Sequence, residues 1–286
     1  MGKLRRPHRP RGMTLPDRIA LGTMHGKAAA SAPPLARLGI ALTVPEGLDT
    51  DRFGTFTGEV PRAGTMVEAA RAKALAAIAA TGLPVGLASE GAYGAHPLIP
   101  FLPQGRELLL WHDSRSGHEI IETLTDDAPA FDHIEVAATE DAQAFLTRIG
   151  FPQTAVIVTR VDGVPVAKGV QDMASLARAL RAAGTDGAAR LQSDMRAHHN
   201  PRRMSMIGQL AERLAQRLAR RCPDCGAPGW GLLRLAPGLP CASCGGPSLT
   251  PEGEIHGCTA CGATTLHPRF DGVTEADPGM CPLCNP

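Results

Sequence analysis

The chain has 286 residues, a net charge of +1 and 43% hydrophobic residues, of which few are aromatic (3% of the chain). That length accommodates one sizeable core and a smaller second domain, and so small a net charge excludes a whole-chain electrostatic case for nucleic-acid or membrane binding. With 32 Gly, 25 Pro and few rings, the core has to be packed from Ala, Leu, Val and Ile.

Residues 1–13, MGKLRRPHRPRGM, read as a disordered basic arm, or as an upstream extension with Met13 the true first residue. No apolar stretch follows this basic start, so a signal peptide is not expected. The longest charge-free apolar run, Ala74 to Ser89, is interrupted at Gly82-Leu83-Pro84 and is shorter than the roughly 18–20 residues of a membrane span. A cytoplasmic protein with no membrane partner is the expectation.

Residues 14–220 read as an α/β body. Apolar runs predict strands over 18–23, 40–44, 85–88, 107–112, 118–124, 155–160 and 164–168. Asp162-Gly163 is a tight-hairpin signal between the last two, and Arg115-Ser116-Gly117 joins another pair. Helical patterns cover 67–80, 140–149, 175–183 and 201–220. Hairpins mixed with strand–helix crossovers predict a mixed sheet flanked by helices. The last helix begins with Asn200 as N-cap and Pro201 in its first turn. Met204, Ile207, Leu210, Leu214 and Leu218 then recur at helical spacing, with Arg213, Arg217, Arg220 and Arg221 expected on the outer side.

Residues 221–286 hold all eight cysteines, each in a CxxC pair: Cys222/Cys225, Cys241/Cys244, Cys258/Cys261 and Cys281/Cys284. Fifteen residues separate the first two pairs and nineteen the last two, which is four-cysteine zinc spacing. Each turn presents two thiolates, and two turns close a tetrahedron. Two structural zinc ribbons are therefore expected, with sequential pairing (first with second, third with fourth) favoured over interleaved. Disulfides do not explain four copies of one short turn, and the aromatic shell of a rubredoxin-like iron site is thin here.

Three stretches of the body could carry chemistry. Gly22-Thr23-Met24-His25-Gly26-Lys27 follows a strand and precedes an alanine-rich helix start, an arrangement that points backbone N–H groups at an anion. The loop is one residue too short for a GxxxxGK nucleotide loop, and Ala28 stands where a magnesium-holding hydroxyl is required. Glu68, at a helix start, and Glu90, at a strand end, could converge on Mg²⁺. Arg196, His198, His199, Arg202 and Arg203 gather at the last helix start, where guanidinium groups and the helix dipole favour an anion.

In order, Thr-x-His-Gly-Lys, Glu-x-x-Arg-x-Lys-Ala, Ser-Glu-Gly and a His/Arg-rich helix start resemble the motif series of the inosine triphosphate pyrophosphatase family and its non-canonical purine nucleotide phosphatase relatives, over roughly residues 17–215. The whole chain also looks like an uncharacterised bacterial family with a cysteine-rich tail. The pyrophosphatase resemblance implies a two-lobed α/β fold with a nucleotide cleft. It implies that Lys27 and Thr23 contact phosphate and that Glu68 and Glu90 bind Mg²⁺ or Mn²⁺ or orient water, and His25 of the same loop is a further candidate for substrate binding. Lys73 would assist, and His199 and Arg202 would lie near the nucleotide, with Arg196 before them a further candidate for substrate binding. The expected function is metal-dependent hydrolysis of a nucleotide or related phosphate ester, in one version as a nucleoside triphosphate pyrophosphohydrolase. The alternatives are a non-enzymatic zinc-ribbon protein binding nucleic acid or a protein partner, and a nucleotide sensor without turnover.

Overall fold

The computed structural model describes residues 14–55, 59–62, 64–137, 139–184 and 188–286. The expected basic arm, 1–13, lies outside the described residues. The chain separates into two compact units, residues 16–115 with 121–213, and residues 116–120 with 214–286.

In the first unit, β1 (Arg18–Gly22), β2 (Ala41–Thr43), β3 (Val85–Ala95), β4 (Pro103–Asp113) and, from Ile121 on, β5 (His118–Asp126) form a sheet in the order β2-β1-β3-β4-β5. β2, β1 and β3 run parallel, and β4 returns antiparallel along the whole of β3, from Val85 opposite Asp113 to Ala95 opposite Pro103. Helix α1 (Ala28–Ala36) links β1 to β2, and α2 (Met66–Thr81) links β2 to β3. The chain thus leaves β1 for one neighbour and crosses back to the other, which makes β1 the switch point of the parallel segment. β1, β3 and β4 carry runs of consecutive buried residues, the signature of strands covered on both faces.

Alanine dominates the packing. Helix α2 buries Ala69, Ala70, Ala74 and Ala77, and its backbone comes so close to β1 that a Cβ on Gly22 would stand 2.5 Å from the Lys73 carbonyl oxygen. A capping box starts this helix: the Thr65 hydroxyl accepts from the Glu68 N–H at 3.2 Å, and Glu68 Oε2 accepts from the Thr65 N–H at 2.7 Å.

A second sheet in this unit has the order β6-β9-β7-β8, all antiparallel: β6 (His133–Val136), β7 (Val156–Arg160), β8 (Pro165–Val170) and β9 (Ala189–Ser193). Helices α3 (Gln143–Ile149) and α4 (Met173–Ala183) bury Phe145, Leu146, Leu176 and Leu180 with Val156, Val158 and Leu191 of the strands. The α/β class with a mixed sheet and flanking helices therefore stands. β6 and β9 escaped the sequence reading because each is a short, half-polar segment (His-Ile-Glu-Val, Ala-Arg-Leu-Gln-Ser) with little apolar signal. The strand expected to end at Glu90 continues to Ala95, since β4 supplies a partner for every residue of it.

Helix α5 (Pro201–Ala219) starts as expected, with Asn200 Oδ1 accepting from the Arg203 N–H at 3.1 Å. Ile207, Leu210, Leu214 and Leu218 are fully buried. Arg217 is a correction: it is buried, and its Nε donates to the Gly229 carbonyl at 3.0 Å instead of facing solvent.

The second unit is built on a three-stranded antiparallel meander, β10 (Gly231–Ala236), β11 (Gly253–Gly257) and β12 (Thr264–Pro268). This meander overturns the sequential pairing of the cysteines. β10 leads away from Cys222/Cys225, and β11 brings the chain back, with Gly257 opposite Gly231. Cys258 and Cys261 are thereby delivered to the first knuckle. β12 then runs out again, so the last pair joins the second. The tetrads are Cys222, Cys225, Cys258 and Cys261, and Cys241, Cys244, Cys281 and Cys284. Among the described residues no helix is long and apolar enough to cross a membrane.

Candidate functional site

Beyond its last parallel pair, Gly22 with Ala88, β1 stops while β3 runs on with Ser89 and Glu90. A pocket of about 90 Å³ lies there, lined by Gly22, His25, Lys27, Thr50, Asp51, Gly54, Thr55, Glu59, Arg62, Lys73, Glu90, Lys168 and Arg196. Ligands of open α/β sheets gather outside the carboxyl ends of the strands at such a switch point.

Each lining group has an identifiable holder. Gly26, at φ 66°, makes the turn that places Lys27 at the start of α1. Lys27 is buried, and its Nζ donates to Ser89 Oγ at 2.9 Å. Burial pulls its pKa down to about 7, with the charges of Arg203 and Lys73 adding to the effect against Glu107 and Glu90. The other lining cations each reach a carboxylate. Lys73 Nζ lies 2.8 Å from Glu90 Oε2, and Arg62 Nε is 3.2 Å from Glu90 Oε1. Lys168 meets Glu59 at 2.5 Å, and Arg196 meets Asp194 at 2.6 Å. Burial pushes the Asp194 carboxyl up, but the hydrogen bonds and charge of Arg196 prevail and hold it below the usual range.

His25 Nε2 stands 3.2 Å from Asp51 Oδ1. Burial keeps this imidazole below its ordinary pKa despite the carboxylate. Its ring stacks on His198 at 5.0 Å between centroids, and His198 touches His199 at 4.0 Å. Burial, together with the neighbouring His199, His25 and Arg196, pushes His198 down to about 4.

Of the residues singled out in the sequence, Lys27, His25, Lys73, Glu90 and Arg196 share this pocket. Thr23 is buried beside it, its Oγ1 accepting from the His25 N–H at 3.2 Å. His199 stands behind His198, its Nε2 in the space where Gly169 lacks a side chain. Glu68 and Arg202 are not brought in. The Glu68 carboxylate is committed to the capping box, and Arg202 makes a two-pronged pair with Asp126, at 2.7 and 2.6 Å, on a separate surface. Glu90 is paired with both Lys73 and Arg62. Among the described residues the groups of His, Cys, Asp and Glu arranged to hold a metal are the two cysteine tetrads.

Arg203, expected beside Arg202 as part of an anion-binding helix start, is not brought into the pocket either. It is buried against Glu107, which is also buried and accepts from Tyr93 OH at 2.6 Å. The signal was available: Arg203 precedes Met206, Ile207 and Leu210 by three, four and seven positions, on the buried face of α5. Asp51, Glu59, Arg62 and Lys168 come from loops and a strand edge and carried no pattern at all.

The cysteine tetrads fit zinc. Sulfurs about 2.3 Å from one ion at tetrahedral angles are about 3.8 Å apart. Observed separations are 3.7 Å for Cys222–Cys261, 3.8 Å for Cys225–Cys258, 3.9 Å for Cys241–Cys284 and 3.7 Å for Cys244–Cys281. These are far beyond the roughly 2.05 Å of a disulfide, and all eight thiols are free.

The molecule is thus an α/β protein with a cation-lined pocket, extended by a cysteine-rich unit with two four-thiol centres. It belongs to the family described as a domain of unknown function, DUF6671, whose profile matches residues 73–286. That match begins within α2, so it includes Lys73, Glu90, Lys168 and Arg196 and leaves Lys27 outside. No curated protein and no solved structure matches the chain.

Proposed function

We propose that the α/β unit binds a phosphate-bearing small molecule, a nucleotide or related phosphate ester, through an anionic group seated at Lys27. The observation that carries this reading is the charge pattern of the pocket. Four of its five lining cations are in contact with a carboxylate, while Lys27 hydrogen-bonds to a hydroxyl. One negative charge is wanted at that point, and a bound anion would restore the proton that burial tends to remove. The strand, loop and helix order around Lys27, and a long β3 carrying Ser89-Glu90, support kinship with the inosine triphosphate pyrophosphatase fold. The placement of Glu68 and the pairing of Glu90 favour binding without a divalent ion over metal-assisted hydrolysis.

Calorimetric titration of zinc-loaded protein with inorganic phosphate, pyrophosphate and ordinary or deaminated nucleoside triphosphates tests this, with and without Mg²⁺ and with phosphate release scored in parallel. Binding independent of Mg²⁺ and lost in Lys27→Gln is expected. Mg²⁺-dependent turnover would instead restore the hydrolase, and silence across the panel in native protein would remove the anion-binding reading.

A further inference from the structure

The 29 basic residues of this chain comprise 25 arginines and four lysines, Lys3, Lys27, Lys73 and Lys168. Three of those four lysines line the same pocket. Arginine serves wherever a permanent cation or a two-pronged clamp is needed, and this chain uses it nearly everywhere. What a lysine offers and an arginine does not is an amine that can lose its proton and attack. Lys73 and Lys168 are tied to Glu90 and Glu59. Lys27 is buried, held by a neutral hydroxyl, and shares the pocket with an imidazole oriented by Asp51. A nucleophilic amine, a proton-carrying ring and a set of guanidinium groups are thus enclosed in one small space.

We infer that Lys27 is a nucleophile and that the pocket takes a small anionic aldehyde or ketone, held as an imine on Lys27 Nζ. This rests on the anion-binding reading, because the same cationic lining would hold the acid group of the carbonyl compound. In the first step the Nζ lone pair forms a bond to the carbonyl carbon, and the carbonyl π electrons move to oxygen, which takes up a proton. The resulting carbinolamine loses that oxygen as water while the nitrogen gives up a proton and the C=N bond closes. His25 is the pocket group suited to carry these protons. Nothing is oxidised or reduced, and addition of water reverses the sequence. Burial supports the chemistry, since it leaves about half of the amine unprotonated near neutral pH. A volume of about 90 Å³ suits a ligand of a few heavy atoms.

Native zinc-loaded protein is incubated at neutral pH with glyoxylate or glyceraldehyde 3-phosphate and sodium cyanoborohydride, and the reduced adduct is located by peptide mass spectrometry. Lys168 serves as the internal reference and the guanidinium-unfolded chain as the control. Labelling at Lys27 at least about tenfold faster than in the unfolded chain is expected, suppressed by inorganic phosphate and absent in Lys27→Arg. Phosphate binding measured by calorimetry without any Lys27 adduct from either probe overturns the imine and leaves the anion pocket standing. Equal labelling of Lys27, Lys73 and Lys168 at the unfolded rate also overturns it. Loss of both adduct and phosphate binding removes both readings.

Discussion

Replacing Lys27 by methionine is expected to stabilise the α/β unit while abolishing phosphate binding. Burial brings the lysine from 10.5 to about 7 in the folded chain. At about 1.4 kcal/mol per unit, this corresponds to about 5 kcal/mol of folding free energy opposed by the charged amine. The folded value lies below the unfolded one, so the unfolded chain holds the extra proton between them. The penalty is complete below pH 7, and wild-type stability recovers as pH rises toward about 10.5, by about 1.4 kcal/mol per unit. Loss of the Ser89 hydrogen bond offsets about 1 kcal/mol of the gain. Lys27→Met should therefore exceed the wild type by about 4 kcal/mol near pH 6, with the advantage shrinking steadily above pH 7. Urea unfolding followed through the buried Trp111, in a Trp230→Phe background, measures this at a series of pH values. A variant less stable than wild type near pH 6, or a difference that does not change between about pH 7 and 10, would refute the reasoning.

The interleaved cysteine topology separates cleanly from the sequential one. Cys222→Ser with Cys258→Ser removes two ligands of one tetrad, so one zinc per chain should remain by elemental analysis, where sequential pairing would leave none intact. Arg203→Ala strands a fully buried Glu107 carboxylate and should cost about 3–5 kcal/mol in chemical denaturation; a change below about 1 kcal/mol would mean the pair is not buried in solution. The stacked His25, His198 and His199 all have pKa values held below the ordinary 6.5, largely by burial, with His198 at about 4. The unfolded chain therefore binds more protons in this window, and stability contributed by the neutral stack should fall as pH drops from 6.5 toward 4. His198→Asn should flatten that limb of the stability profile, and an unchanged limb would locate the acid sensitivity elsewhere.

What the sequence determined by itself is local. Four CxxC turns at fixed spacing announce tetrahedral thiolate centres because the ligand geometry is set within each four-residue turn. Asn200-Pro201 and the apolar rhythm of α5 announce a helix because capping and burial act within a few residues. Gly26-Lys27 after a short apolar strand announces a tight turn into a helix for the same reason. Tertiary structure decided which turns meet: the antiparallel return of β11 brings Cys258 and Cys261 to Cys222 and Cys225, a matter of strand register that spacing does not encode. It also decided the fate of individual charges. Glu68 had the right residue type and position for a metal ligand, yet its own helix terminus claimed it. Arg202 and Arg203 are adjacent, and the rotation of one helical step sends one to the surface with Asp126 and the other into the core with Glu107. Asp51, Arg62 and Lys168 enter the pocket from segments far apart in the chain, since a site is a convergence of side chains in space and only the folded backbone fixes where they converge.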